Sequence, residues 1–67
     1  MKYLIRESSV YHFDQYLIET HRSRDRWSRN KKDALRFDTF KEAKSVCIRE
    51  FGPDFDARHI VIFQSEE

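Results

Sequence analysis

The sequence predicts a small α+β fold, with a three- or four-stranded, mostly antiparallel sheet and one helix packed on one face, in ββ(β)αβ order. Three observations lead there. Runs rich in aromatic and β-branched residues stand near both ends of the chain. A helical stripe with start and stop signals stands between them. The chain is 67 residues long, so residues 1–67 form one domain that buries only about 60% of its extended surface and has a net stability of a few kcal/mol. One helix covers one sheet face, and little interior remains for an enclosed site.

The first element is KYLIRE, Lys2 to Glu7, a strand. Ser8 and Ser9 suggest a turn. VYHFDQYLIE, Val10 to Glu19, holds the second strand, with a bend expected near Asp14–Gln15; the two strands pair as a hairpin. From Thr20 the chain is charged and loses apolar periodicity except at Trp27, which marks a loop or a hairpin tip with a short strand on its far side.

TFKEAKSVCIREFGP carries the helix, expected over about Phe40 to Phe51. Thr39 is the N-cap, and Glu42 three residues later completes a capping box. Phe40, Ala43, Cys47 and Phe51 fall on one side at helical spacing, flanked by Val46 and Ile48. Ala43 is small enough for a sheet to come close. Gly52 suits the left-handed position after the last turn, and Pro53 stops continuation.

HIVIFQ, His59 to Gln64, is the last strand, with Ile60 and Ile62 on one side and Val61 and Phe63 on the other. A single helix leaves the second apolar side to be covered by the loop and its Trp27, or by another molecule. That is the sequence-level reason to expect a protein contact, or a homodimer through the second sheet face.

The formal net charge of +1 is unevenly spread. Residues 22–36 hold seven basic and two acidic groups, a local charge of +5, and the flanks together carry −4. Such a dipolar pattern orients a partner without naming one. Arg22, Arg24 and Arg26 alternate, so on a strand they share a face; Arg29, Lys31, Lys32 and Arg36 extend the line around the turn. Arginine forks suit phosphates and protein carboxylates alike. Near-neutral overall charge argues against strong non-specific nucleic-acid binding. Tyr3, Tyr11 and Tyr16 lie in the N-terminal strands, and tyrosine and arginine are frequent interface anchors. The expected partner-binding residues are therefore Arg22, Arg24, Arg26, Arg29, Lys31 and Lys32, with Tyr11 and Tyr16.

Catalytic, cofactor and metal chemistry finds little to stand on. His12, His21 and His59 include no pair at zinc-ligand spacing, and Cys47 is the only cysteine. A Cys47–His59 nucleophile pair needs the helix and last strand to meet, and a cysteine on an apolar stripe is usually a small hydrophobe. His12 and Asp14 share a strand face, where a structural pairing is the simpler account. The single glycine, Gly52, rules out a glycine-rich phosphate loop, and Asp54 and Asp56 lack a calcium-binding loop around them. No enzyme activity and no cofactor are expected. A lone cysteine excludes an internal disulfide and fits a reducing compartment. No apolar h-region follows Lys2 and no run approaches a membrane span, so a cytoplasmic protein without membrane association is expected.

Within WSRNKKDALRFDTFKEA, the residues Trp27, Ala34, Phe37, Thr39, Glu42 and Ala43 resemble a pattern shared by many very small bacteriophage and prophage proteins. In these a strand or hairpin, a tryptophan, a polar turn and an A-x-x-F-x-T-x-x-E-A segment precede a C-terminal strand. The match runs from Tyr16 to Gln64. The resemblance implies that Trp27, Ala34 and Phe37 close the core against the helix and that Thr39 with Glu42 caps it. It further implies an accessory protein, some of which bind and inhibit host proteins, anti-defence proteins among them. The implied role is a non-catalytic protein-binding module, a phage-encoded modulator or inhibitor of a host protein in the host cytoplasm. The turn around the tryptophan is unusually basic and the segment before the second strand is longer, which leaves a DNA- or RNA-binding accessory role through residues 22–36 as the alternative.

Overall fold

The computed structural model describes residues 1–9, 12–20 and 26–65, without the side chains of residues 9, 12 and 13. Strands β1 (Lys2–Ser9), β2 (His12–Leu17), β3 (Trp27–Ser28) and β4 (Ile60–Ser65) form one sheet in the order β3-β2-β1-β4, with every pairing antiparallel. Helix α1 (Phe40–Phe51) packs on one face, chiefly against β1 and β4. The expected α+β class, the helix and the short strand at Trp27 all stand.

One local reading is corrected. Ser8 and Ser9 continue β1 instead of turning: the Ser8 amide donates to the His59 carbonyl at 3.0 Å, and Ser9 pairs with His12. Pairing with β4 outweighs the turn preference of two serines. The bend expected near Asp14–Gln15 has a counterpart in the hairpin ladder: Glu7 pairs with Gln15 and Ser9 with His12, so three steps of β2 face two of β1 and the additional residue lies in β2 beside Asp14.

The helix begins as its sequence dictates. The Glu42 amide donates to Thr39 Oγ1 at 3.1 Å, which satisfies one of the amides a first turn leaves without a partner. At the other end, the Gly52 amide donates to the Ile48 carbonyl at 2.9 Å. Gly52 has φ 95° and ψ 168°, so its φ is positive but its ψ is extended and outside the left-handed helical well. This region is essentially open only to glycine. Thr39→Ala is expected to lower stability by about 1 kcal/mol in chemical denaturation; an unchanged midpoint would show that the hydroxyl does not cap the helix.

Alternation along the strands sorts the side chains into two layers. On the helix side, Ile5, Leu17 and Ile60 meet Ala43, Cys47 and Phe51 in the main cluster, with Tyr3, Trp27, Leu35, Phe37, Val46, Phe55 and Ile62 packed around it. Trp27 stacks on Phe51, with ring centroids 5.6 Å apart. Phe40 shares the helical stripe but is 49% exposed, its ring set edge-on to Tyr3 at the margin of the sheet.

The second layer is Leu4, fully buried yet outside that cluster, with its register partner Phe63. The segment after β3 folds back over this side. Asn30 caps a 3-10 turn at Lys31–Asp33 by accepting from the Lys32 amide at 3.0 Å, and Lys31 Nζ lies 5.6 Å from the centre of the Phe63 ring. The chain then crosses the end of the sheet. The Leu35 amide bonds the Leu17 carbonyl, and Phe37 exchanges both backbone bonds with Tyr3 where β2 has already ended.

The loop thus covers part of the second face, as expected, but Trp27 does not: it belongs to the helix side. Ala34, which the resemblance placed against the helix, is buried outside the helix-side cluster. The reason is topological. Trp27 pairs with Leu17, a helix-facing position, and the chain changes sides only after Ser28.

Candidate binding surface

The second sheet face presents the most concentrated chemistry among the described residues. Tyr16 of β2, Arg6 of β1 and Val61 of β4 form one row in register, and Leu4 and Phe63 form the next. Phe63 is the hub. Tyr16 tilts against it at 6.0 Å between ring centroids, the Arg6 guanidinium lies 5.3 Å from its centre, and Lys31 approaches at 5.6 Å. Cations over an aromatic face gain from the ring quadrupole, about 0.5–1 kcal/mol each where water competes. Arg6 Nη1 also faces Asp14 Oδ2 at 3.8 Å, while its Nε is buried with no hydrogen-bond partner. The guanidinium is therefore held by stacking and a loose ion pair. Val61 beside it is 41% exposed.

The expected binding residues are distributed as follows. Tyr16 and Lys31 meet at Phe63. Arg26 lies on the other side of the sheet, its guanidinium 4.7 Å from the centre of the Phe51 ring. Lys32 is exposed in the 3-10 turn, and Arg29 is exposed just before it. Arg36 braces that turn, with Nη1 donating to the carbonyls of Lys32 at 3.3 Å and Ala34 at 2.9 Å. Tyr11, Arg22 and Arg24 lie outside the described residues. Among the described residues, the basic segment accordingly splits between two faces at Arg26 and Lys31.

Sequence reasoning missed Phe63, Arg6 and Asp14 as members of this surface. The signal was present in part, since alternation already set Phe63 and Val61 on the side opposite Ile60 and Ile62. What was missing was the register that brings Arg6 and Asp14 to them from two other strands.

Elsewhere the chemistry is sparse. A shallow groove of about 530 Å³ runs beside α1, floored by Phe37 and Val46 and rimmed by Lys41, Glu42 and Arg49. Cys47 is buried in the main cluster, and burial pushes its thiol up to about 11. It stays protonated at neutral pH, and His59 stands exposed in a left-handed turn at φ 64°. The side chain of His12, considered beside Asp14, is outside the described set. At the far margin Lys2 pairs with Asp38, and its ammonium, by hydrogen bond and charge, holds that carboxyl below the usual range. Among the described residues no three His, Cys, Asp or Glu side chains gather to hold a metal ion, and no helix is long and apolar enough to cross a membrane.

The chain matches no family model, no curated protein and no solved structure.

Proposed function

We propose that the protein acts without catalysis, by binding another protein through the second sheet face. The observation that carries this reading is the composition of that face: Tyr16 and Phe63, cations at Arg6 and Lys31, an acid at Asp14 and an exposed Val61 within one patch. Aromatic and arginine anchors with charges of both signs are what protein interfaces use. A phosphate-binding track would place cations together without an acid among them, and here Asp14 sits against Arg6. The resemblance to small phage proteins supports a host protein as the partner, which makes the chain a modulator or inhibitor of that protein in the host cytoplasm. The rival reading is DNA or RNA binding, favoured by the +5 charge of residues 22–36.

Affinity capture from host lysate, with and without nuclease, separates the two. A protein partner is expected to remain at fixed stoichiometry after nuclease and moderate salt, and to be lost with a folded Tyr16→Glu variant. Phosphate contacts release condensed ions and weaken steeply with salt. Recovery of nucleic acid alone, abolished by Lys31→Glu with Lys32→Glu, would replace this reading with the rival.

A further inference from the structure

The two edges of the sheet are built differently. One edge is β3, two residues long and flanked by Arg26 and Arg29. Shortness and flanking charge are common ways to keep an edge from pairing. The other edge is β4, six residues of sequence IVIFQS with no charge, no proline and no register break against β1. Within the strand it carries none of the usual protections.

The hydrogen-bond pattern shows what that edge offers. In an antiparallel pair each residue directs its N–H and C=O to the same neighbour. Tyr3 directs both to Phe37, away from β4, so its partner Gln64 directs both outward. Alternation adds Ile62 and Ile60, whose partners Ile5 and Glu7 likewise turn toward β2. No backbone hydrogen bond among the described residues reaches these outward groups.

We infer that β4 pairs antiparallel with β4 of a second copy of this chain, joining two sheets into one across a twofold axis at Ile62. The strand is complementary to itself in this register. Ile62 faces its own copy, and Ile60 faces Gln64 of the other chain, so every outward N–H and C=O of the three residues finds a partner. Val61, the exposed apolar residue of β4, comes opposite Phe63 of the other copy, in the closely spaced kind of pair where side chains touch. No like charges meet along the strand. The described strand is uncharged and complementary to itself, which favours a second copy in this direction. Pairing places the two second faces side by side, and it stands whether or not those faces bind another protein.

The test is the mass of the full chain in solution across a concentration series, by sedimentation or light scattering, with two variants. Gln64→Pro removes an outward amide without removing a bond to β1, and Gln64 is exposed. Val61→Glu sets a carboxylate against Phe63 of the other copy. A dimer is expected for the native chain, with at least a tenfold weaker association in each variant and unchanged far-ultraviolet circular dichroism. If Gln64→Pro unfolds, Val61→Glu decides. A native chain that stays monomeric into the hundreds of micromolar overturns the inference, and so does a dimer that survives Val61→Glu. Register is checked by mixing Val61→Cys with Phe63→Cys under oxidation, where the mixed disulfide should form ahead of either like pair; buried Cys47 is a bystander.

Discussion

Trp27→Ala is expected to cost about 3 kcal/mol of folding stability, the lower end of the range for removing a large aromatic from a packed site. The lower end applies because Trp27 is half-buried. Its ring stacks on Phe51 and closes the helix-side cluster over β2, beyond the strands that α1 chiefly covers. A 67-residue domain holds only a few kcal/mol in reserve, so the variant should be largely unfolded at room temperature. Trp27→Phe keeps most of the apolar area and should retain the fold with a loss of about 1–2 kcal/mol. Urea titration followed by far-ultraviolet circular dichroism is the suitable measurement, because fluorescence is lost with the indole. A loss below about 1 kcal/mol for Trp27→Ala would show that the ring is not part of the core and would leave it free to stack on a nucleic-acid base.

The elements that were legible from sequence share a property: their causes are local. Thr39 and Glu42 are three residues apart, and the cap they form depends on nothing distant. Gly52 before Pro53 ends a helix in almost any context. The alternation of Ile60, Val61, Ile62 and Phe63 needs only the pleat of a strand. Misread elements had causes far away in sequence. Ser8 looks like a turn residue until β4 supplies a carbonyl from His59. Trp27 and Ala34 are only seven residues apart, yet Trp27 packs in the helix-side cluster and Ala34 is buried outside it, because the chain leaves β3 after Ser28. The binding surface was legible to the same extent. Tyr16 and Lys31 were visible as an aromatic and a cation, but their meeting at Phe63 depends on three strands and a 3-10 turn converging. The seven basic residues looked like one feature because they are neighbours along the chain, and the fold assigns those it describes to separate tasks.

The second large effect is expected on the opposite side of the sheet, at Leu4. It is as fully buried as Ile5 beside it, but its register partner is Phe63, the ring that Lys31 of the segment after β3 approaches. Leu4→Ala should cost about 2–5 kcal/mol, the transfer free energy of the lost methyl groups plus the cavity left behind. That would rival Trp27→Ala although no helix covers this face. Val61→Ala, on the same face but 41% exposed, should stay within about 1 kcal/mol. The contrast measures how firmly the Asn30–Arg36 segment is seated. Its anchors are the Asn30 cap, the Arg36 brace and the approach of Lys31 to Phe63. If they hold the segment closed, Leu4 lies in a second small core, and the surface open to a partner begins at Tyr16, Arg6 and Val61. A Leu4→Ala loss no larger than that of Val61→Ala would mean that the segment lifts readily. The partner-binding face would then extend to Leu4 itself, and the basic turn would act as its cover.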